Sequence, residues 1–275
     1  MPSFIPKPPN VTGLNKSNLL SSGIIGAWPM TEGSTEATIF DASFMATDGI
    51  QVGNPTWEGS SYGYTMDFDG TGDCLDLGIS PFYTHSATSF SISFIATIST
   101  NDFNGTVKLL MDSSAANPAT GGFWLAVDDR GGSNPVNGLQ WRFNTSGNSN
   151  STIYSANNVF TTTPTCYHIV CSYNSSTSTG EIQVNGVDVT NVYSAPSGDF
   201  VPKNADLFFC SSNINTFNFN GQAHAPVIWD RYLSPSEAKA LYHDHFQIYK
   251  KNKRTILYRI LAAVTGNPYY AYMQQ

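Results

Sequence analysis

The chain has 275 residues and a formal net charge of −7, with 40% hydrophobic, 13% aromatic and 12% charged residues. The charged share is about half the usual ~25%, which excludes a coiled coil, and the apolar and aromatic share excludes a disordered chain. The charge is also segregated: residues 250–275 hold five basic groups and no acid, so residues 1–249 carry −12, and an acidic body of that kind excludes coating of nucleic acid, which needs a basic face to displace phosphate counterions.

Residues 1–22 are rich in Pro and Asn, with Pro2, Pro6, Pro8 and Pro9 near the start, and read as an extended arm. A basic region followed by an apolar one is missing there, so the segment does not read as a signal peptide. Ile24-Ile25-Gly26-Ala27-Trp28-Pro29-Met30 is the first strand candidate. From there to Asp230, short apolar or alternating runs are separated by turn residues. In Ser89-Phe90-Ser91-Ile92-Ser93-Phe94-Ile95, the period of two places Phe90, Ile92 and Phe94 on one face. Phe123-Trp124-Leu125-Ala126-Val127, Gly138-Leu139-Gln140-Trp141-Arg142-Phe143 and Tyr167-His168-Ile169-Val170-Cys171-Ser172-Tyr173 follow the same pattern. Asn185-Gly186, between Glu181-Ile182-Gln183-Val184 and Val187-Asp188-Val189, predicts a hairpin, because both turn positions favour positive φ. Many short strands at this spacing predict a sandwich or barrel.

Ser234-Pro235-Ser236-Glu237 carries an N-cap Ser, Pro at the first helical position and Glu at the third, which predicts a capping box and a short helix. Near the C-terminus, Ile256, Leu257, Ile260, Leu261 and Val264 form an apolar stripe at helical period, with Lys253, Arg254 and Arg259 away from its centre, and Gly266-Asn267-Pro268 ends it. A stripe this short needs a protein surface to cover it. No apolar run approaches the ~18 residues of a membrane span. Cys74, Cys166, Cys171 and Cys210 make no C-x-x-C motif and read as buried free thiols. The Asn-x-Ser/Thr sequences at Asn104, Asn144, Asn150 and Asn174 reflect composition.

Several ordered phrases carry a family resemblance. They are Gly26-Ala27-Trp28-Pro29-Met30-Thr31-Glu32-Gly33, Phe40-Asp41-Ala42-Ser43, Met66-Asp67-Phe68-Asp69-Gly70, Gly180-Glu181-Ile182-Gln183-Val184-Asn185-Gly186 and Ile228-Trp229-Asp230-Arg231-Tyr232-Leu233-Ser234. Together they resemble the laminin G-like, concanavalin A-like jelly roll over residues 23–244. The resemblance implies an all-β fold, a two-sheet antiparallel sandwich, with the short helix after its last core strand. Residues 245–275 then form a basic amphipathic helical tail. The flanks, Asn10-Val11-Thr12-Gly13-Leu14-Asn15-Lys16-Ser17 and His245-Phe246-Gln247-Ile248-Tyr249, resemble those of bacteriophage virion proteins carrying this domain.

Glycoside hydrolases of this fold need two carboxylates facing one cleft, and their retaining branch shows a Glu-x-Asp-x-x-Glu strand that this chain lacks. The available acid pairs are Asp67/Asp69, Asp73/Asp76 and Asp128/Asp129; Asp67 and Asp69 would share a strand face, but the resemblance makes their Asp-Phe-Asp-Gly phrase a turn feature, and no enzyme is expected. The resemblance also implies one Ca2+ site, and the matching acids are Glu32, Asp41 and Asp230. The alternative is that Asp41 caps a turn, Glu32 is solvated and Asp230 pairs with Arg231 or a backbone amide. Glycan binding, a further habit of the family, points to Trp57 and Tyr62 in a Gly/Ser-rich stretch, from a pool that includes Tyr64, Tyr83, Trp124 and Trp141. Trp124 and Trp141, in alternating strands, read as core.

The expectation is a non-enzymatic structural protein of a phage virion: a capsid decoration, head-fibre or tail-associated protein, assembled in the host cytoplasm. Its termini, through Ile256, Leu257, Ile260, Leu261 and Val264, would hold a capsid or tail protein or a sister subunit, and its jelly roll would face host or environmental glycans. The alternative is a soluble or secreted sugar-binding module outside a virion.

Overall fold

Period-two alternation becomes strand pairing in the computed structural model, which describes residues 11–33, 37–60, 63–99, 105–115, 118–212 and 217–251. In chain order the strands are β1 (Val11–Leu14), β2 (Ile24–Ala27), β3 (Thr38–Ile39), β4 (Gly49–Val52), β5 (Thr56–Ser60), β6 (Gly63–Asp69) and β7 (Cys74–Ile79). After the helix α1 (Pro81–His85) come β8 (Phe90–Ile98), β9 (Val107–Asp112), β10 (Phe123–Asp128), β11 (Gly138–Thr145), β12 (Asn148–Ser155) and β13 (Thr165–Asn174). The remaining elements are β14 (Thr179–Val184), β15 (Val187–Asp188), β16 (Thr190–Ser194), β17 (Asp206–Phe209), β18 (Asn220–Trp229), the helix α2 (Pro235–His243) and β19 (Tyr249–Lys251).

Two antiparallel sheets pack face to face as a jelly-roll sandwich. One has the order β16-β12-β11-β10-β9-β17-β7-β4-β3, and the other β15-β14-β13-β8-β18-β6-β5 with β2 also paired to β18. The alternating residues meet between them: Phe90, Ile92 and Phe94 from β8 lie against Phe123, Leu125, Trp141 and Phe143, all fully buried. Phe90 is the hub, with ring centroids 4.2 Å from Phe200 and 5.3 Å from Trp141. Asn185 and Gly186 turn the β14–β15 hairpin with φ of 53° and 71°. Three of the four cysteines are buried and all are free thiols; burial raises the Cys171 and Cys210 pKa well above the thiol range and pushes Cys74 up to about 12.

The outer face of the eight-stranded sheet is covered by a third layer. Ile95, Val170, Val227 and Trp229 lie under Leu20, Leu241, Phe246 and Tyr249. The capping box forms: Ser234 N donates to Glu237 Oε2 at 2.9 Å and Glu237 N donates back to Ser234 Oγ. Below α2, His168 and His245 share a hydrogen bond, Nε2 to Nδ1, at 3.1 Å, and His245 Nε2 sits 2.9 Å from the Ala225 carbonyl.

Two features depart from expectation. α1 was not foreseen; it starts at Pro81 and sets Phe82 5.2 Å from Phe90 and 5.6 Å from Phe123. The boundaries at residues 22 and 244 move outward to 11 and 251. β1 pairs with β19, Asn15 N donates to the Ile248 carbonyl at 2.7 Å, and Trp229 Nε1 donates to the Leu20 carbonyl at 2.8 Å. Residues 11–22 and 245–251 are thus parts of the folded body, because their apolar side chains close its second core. The expected C-terminal helix, with its attachment residues from Ile256 to Val264, lies outside the described residues.

Candidate functional site

The three acids matched to calcium do not form one metal cluster among the described residues. Asp41 is buried, and both its oxygens are filled. Oδ1 accepts from the backbone N–H of Ala27 at 2.9 Å and of Ser43 at 2.8 Å; Oδ2 accepts from Ser43 Oγ at 2.8 Å and the Thr47 N–H at 3.0 Å. Four donors leave no lone pair facing a metal, and the residue acts as the cap of the 41–47 turn. Glu32 Oε1 accepts from the Phe40 N–H at 2.9 Å. Asp230 Oδ2 lies 2.6 Å from His85 Nε2; Arg231, its expected partner, pairs instead with Glu237 at 2.9 Å. Among the described residues no three His, Cys, Asp or Glu side chains form a metal cluster. The residues present do not fit a calcium ion held by this trio.

The proposed glycan pair is also divided. Tyr62 lies outside the described residues. Trp57, on the edge strand β5, is half-buried against the inter-sheet core, with the exposed Tyr64 ring edge-on at 6.4 Å. Tyr83 is exposed on α1, and Trp141 is core as expected.

Trp124 is the correction that matters. It was expected in the core, but the parity of β10 sends Phe123, Leu125 and Val127 inward and Trp124, Ala126 and Asp128 to the outer face of the nine-stranded sheet. Its cross-strand neighbours are Asp112 on β9 and Arg142 on β11. The Arg142 guanidinium carbon lies 5.1 Å from the centre of the Trp124 ring, a cation–π arrangement. Arg142 Nη2 also donates to Asn150 Oδ1. Burial depresses the Arg142 pKa; the Tyr154 phenol works against this and Arg130 with it. The Trp124 indole N–H is buried with no hydrogen-bond partner among the described residues.

A polar network flanks this pair. Arg130 grips the buried Asp128 with two prongs, Nε to Oδ1 at 2.9 Å and Nη2 to Oδ2 at 2.7 Å. Gln140 Nε2 donates to the Tyr154 hydroxyl at 3.3 Å, which donates to Asn134 Oδ1 at 3.1 Å. Tyr154 stacks at 5.0 Å on Tyr193, which is 62% exposed. The same face of the sheet thus carries an exposed aromatic ring, an arginine–tryptophan stack and amides fixed in one network: a surface for C–H contacts and polar groups that can meet hydroxyls. The sequence carried the signal for it, since Gln140 and Arg142 alternate with the core residues Leu139, Trp141 and Phe143.

Two packed antiparallel sheets with this outer face define a lectin-like jelly roll. The chain belongs to the Laminin_G_3 family, the concanavalin A-like lectin/glucanases superfamily, whose model matches residues 46–239. Among solved structures, the chain is similar to the binding domain of Paraclostridial Mosquitocidal Protein 1, with a TM-score of 0.60 and 16% identity over 82% of this chain and 53% of that one. It is similar to Trypanosoma rangeli sialidase in complex with sialic acid, with a TM-score of 0.56 and 15% identity over 82% of this chain and 34% of that one. It is similar also to domain 4 of AbnA, a GH43 extracellular arabinanase from Geobacillus stearothermophilus, in complex with arabinotriose; there the TM-score is 0.55 and the identity 13%, over 80% of this chain and 98% of that one. The chain thus spans about half the length of the toxin chain and a third of the sialidase. No curated protein matches the chain.

Proposed function

We propose that this jelly roll is a non-enzymatic, sugar-binding display protein of a bacteriophage virion, a capsid decoration, head-fibre or tail-associated component. The observation that carries the reading is the opposition of its two outer faces. Val11 pairs with Lys251, so the two ends of the described body lie side by side, in the layer that covers the eight-stranded sheet. The Trp124–Arg142 platform lies on the other sheet and looks the other way. A module held by its termini would therefore present the platform outward. The stripe of Ile256, Leu257, Ile260, Leu261 and Val264 provides a surface for a capsid or tail protein or a sister subunit, and each such side chain contributes ~1.5–3 kcal/mol when fully buried.

Binding without catalysis is supported by how the carboxylates are used. Asp73 accepts from the backbone of Asn54 and Asp69, Asp76 from Gly78 and Asp69 from Thr71, and Asp128 is gripped by Arg130. Each of these is engaged in holding a turn or strand end. The alternative, a secreted lectin module outside a virion, is favoured by one observation: the arabinanase domain, nearly all of which the chain covers, belongs to an extracellular enzyme.

The test is mass spectrometry of purified virions from a host expressing the full chain and a chain ending at residue 251. The expected result is the full chain at a fixed copy number per particle, and a shortened chain that melts normally but is absent from particles. Particles free of the full chain, with the protein recovered from the medium, would favour the secreted lectin.

A further inference from the structure

Arg142 stands apart from the other described arginines. Arg130 is paired with Asp128 at 2.7 Å and Arg231 with Glu237 at 2.9 Å. Arg142 has no carboxylate within ion-pair distance among the described residues, although residues 1–249 carry −12. It is half-buried, stacked on Trp124, and uses one N–H on Asn150. A desolvated guanidinium left without a counter-charge costs stability, and its fork of donors matches a carboxylate.

The unfilled groups around it are of one kind. The Trp124 indole N–H has no acceptor among the described residues. The nearby acceptors are engaged: both Asp128 oxygens by Arg130, Asp112 Oδ1 by the Ser114 N–H and hydroxyl, Asn150 Oδ1 by Arg142, and the Tyr154 hydroxyl oxygen by Gln140. A surplus of donors around one uncompensated cation calls for a ligand that brings acceptors and one negative charge. The exposed Tyr193 ring, two strands from Arg142 on β16 and stacked on Tyr154, suits a pyranose face. A polyanion is disfavoured, because residues 1–249 carry −12 and repel a row of phosphates.

We propose that Arg142 anchors the carboxylate of an acidic sugar, with the ring of that sugar against Tyr193. This rests on the reading of the open face as a sugar site and adds the class of sugar. The fork would close on both carboxylate oxygens, the arrangement in which Arg exceeds Lys.

The test is titration calorimetry of the full chain with N-acetylneuraminic acid and galacturonic acid, each against its methyl ester, repeated with Arg142→Gln and Arg142→Lys. At least one acid should bind roughly ten- to a hundredfold more tightly than its ester, the range of a charge-assisted hydrogen bond. Arg142→Gln should erase that preference and Arg142→Lys keep only part of it. Which acid binds distinguishes the sialate from the uronate source. Equal binding of acid and ester by the natural chain overturns the inference and leaves the sugar reading standing. Binding of neither acid nor ester overturns the inference, while neutral oligosaccharides bound in the same cell would show that the sugar reading survives it. The acid–ester comparison needs no variant, so a poorly folding Arg142→Gln does not spoil it.

Discussion

The two outer faces of the sandwich are made from the same kind of strand and end in opposite states. On the eight-stranded sheet, the outward residues of β8 and β18 include Ser91, Ser93, Ile95, Val227 and Trp229, with His224 stacked on Phe246. They are sealed by α2, the 245–248 turn and the β1–β19 pair. On the nine-stranded sheet the outward residues of β10 and β11 are mixed: Ala126, Asp128 and Gln140 are buried, Ala126 with Val107 and Leu109 in a small cluster, while Trp124 and Arg142 are half-buried. The difference teaches that a jelly roll acquires a direction from its termini. Segments 11–22 and 245–251 close one face into a second core, whereas the other keeps Trp124 and Arg142 half in solvent and Tyr193 largely so.

The comparison is broken most severely by removing the seal. Trp229 is fully buried, and its indole N–H donates to the Leu20 carbonyl. Trp229→Ala should cost about 3–5 kcal/mol, through the cavity and the orphaned carbonyl. The half-buried Trp124→Ala, with less area to lose, should cost under ~2 kcal/mol. Denaturant midpoints of the two variants check the contrast, and equal losses would mean that the faces do not differ as argued.

Much of this was legible in the residues, and the illegible part has a physical pattern. Phe90, Ile92 and Phe94 showed their common face, because period two is set by the strand itself. Asn185-Gly186 and Ser234-Pro235-Ser236-Glu237 showed a hairpin and a helix start, because both are local chemistry. α1 escaped notice, since five residues give under two turns of pattern. Val11–Leu14 escaped as well: its strand exists only because β19, more than two hundred residues later, pairs with it. The same non-locality hid the site. Parity assigned Trp124 to the face opposite Leu125, but whether that face is core or solvent depends on what distant segments cover. Asp41 and Asp230 were visible as acids, yet their partners, the Ala27 and Thr47 amides and His85, come together only in the fold.

Acid should sharpen the contrast by loosening only the sealed face. His168 is fully buried; burial first, and the adjacent His245 second, hold its pKa well below the usual 6.5. A histidine kept neutral in the folded state takes up its proton on unfolding. Its contribution is therefore present above the unfolded value and lost as pH falls below ~6.5, at no more than ~1.4 kcal/mol per pH unit for one proton. Asp41, whose pKa is raised by burial against four hydrogen bonds, works in the opposite sense in the carboxylate range. The denaturation midpoint should fall between pH 7.5 and pH 5.5, and an unchanged midpoint would remove the histidine pair from the account.

The smallest expected effect is on the open face, where a large aromatic ring has little to do with stability. Tyr193 is 62% exposed and touches the body chiefly through its stack on Tyr154. Tyr193→Ala should therefore cost under ~1 kcal/mol, the worth of an aromatic pair that is mostly in water. An exposed ring of this size gains nothing from solvent, so its presence is better explained by what it can meet there. The same variant should weaken binding of any sugar that the natural chain holds, with its melting temperature nearly unchanged. A large loss of stability from Tyr193→Ala would place the ring among the structural elements of the sheet edge. Unchanged sugar affinity would move the stacking platform to another ring, and the half-buried Trp57 with its neighbour Tyr64 would be the next to substitute, since they stand at the far edge of the other sheet with one exposed face between them.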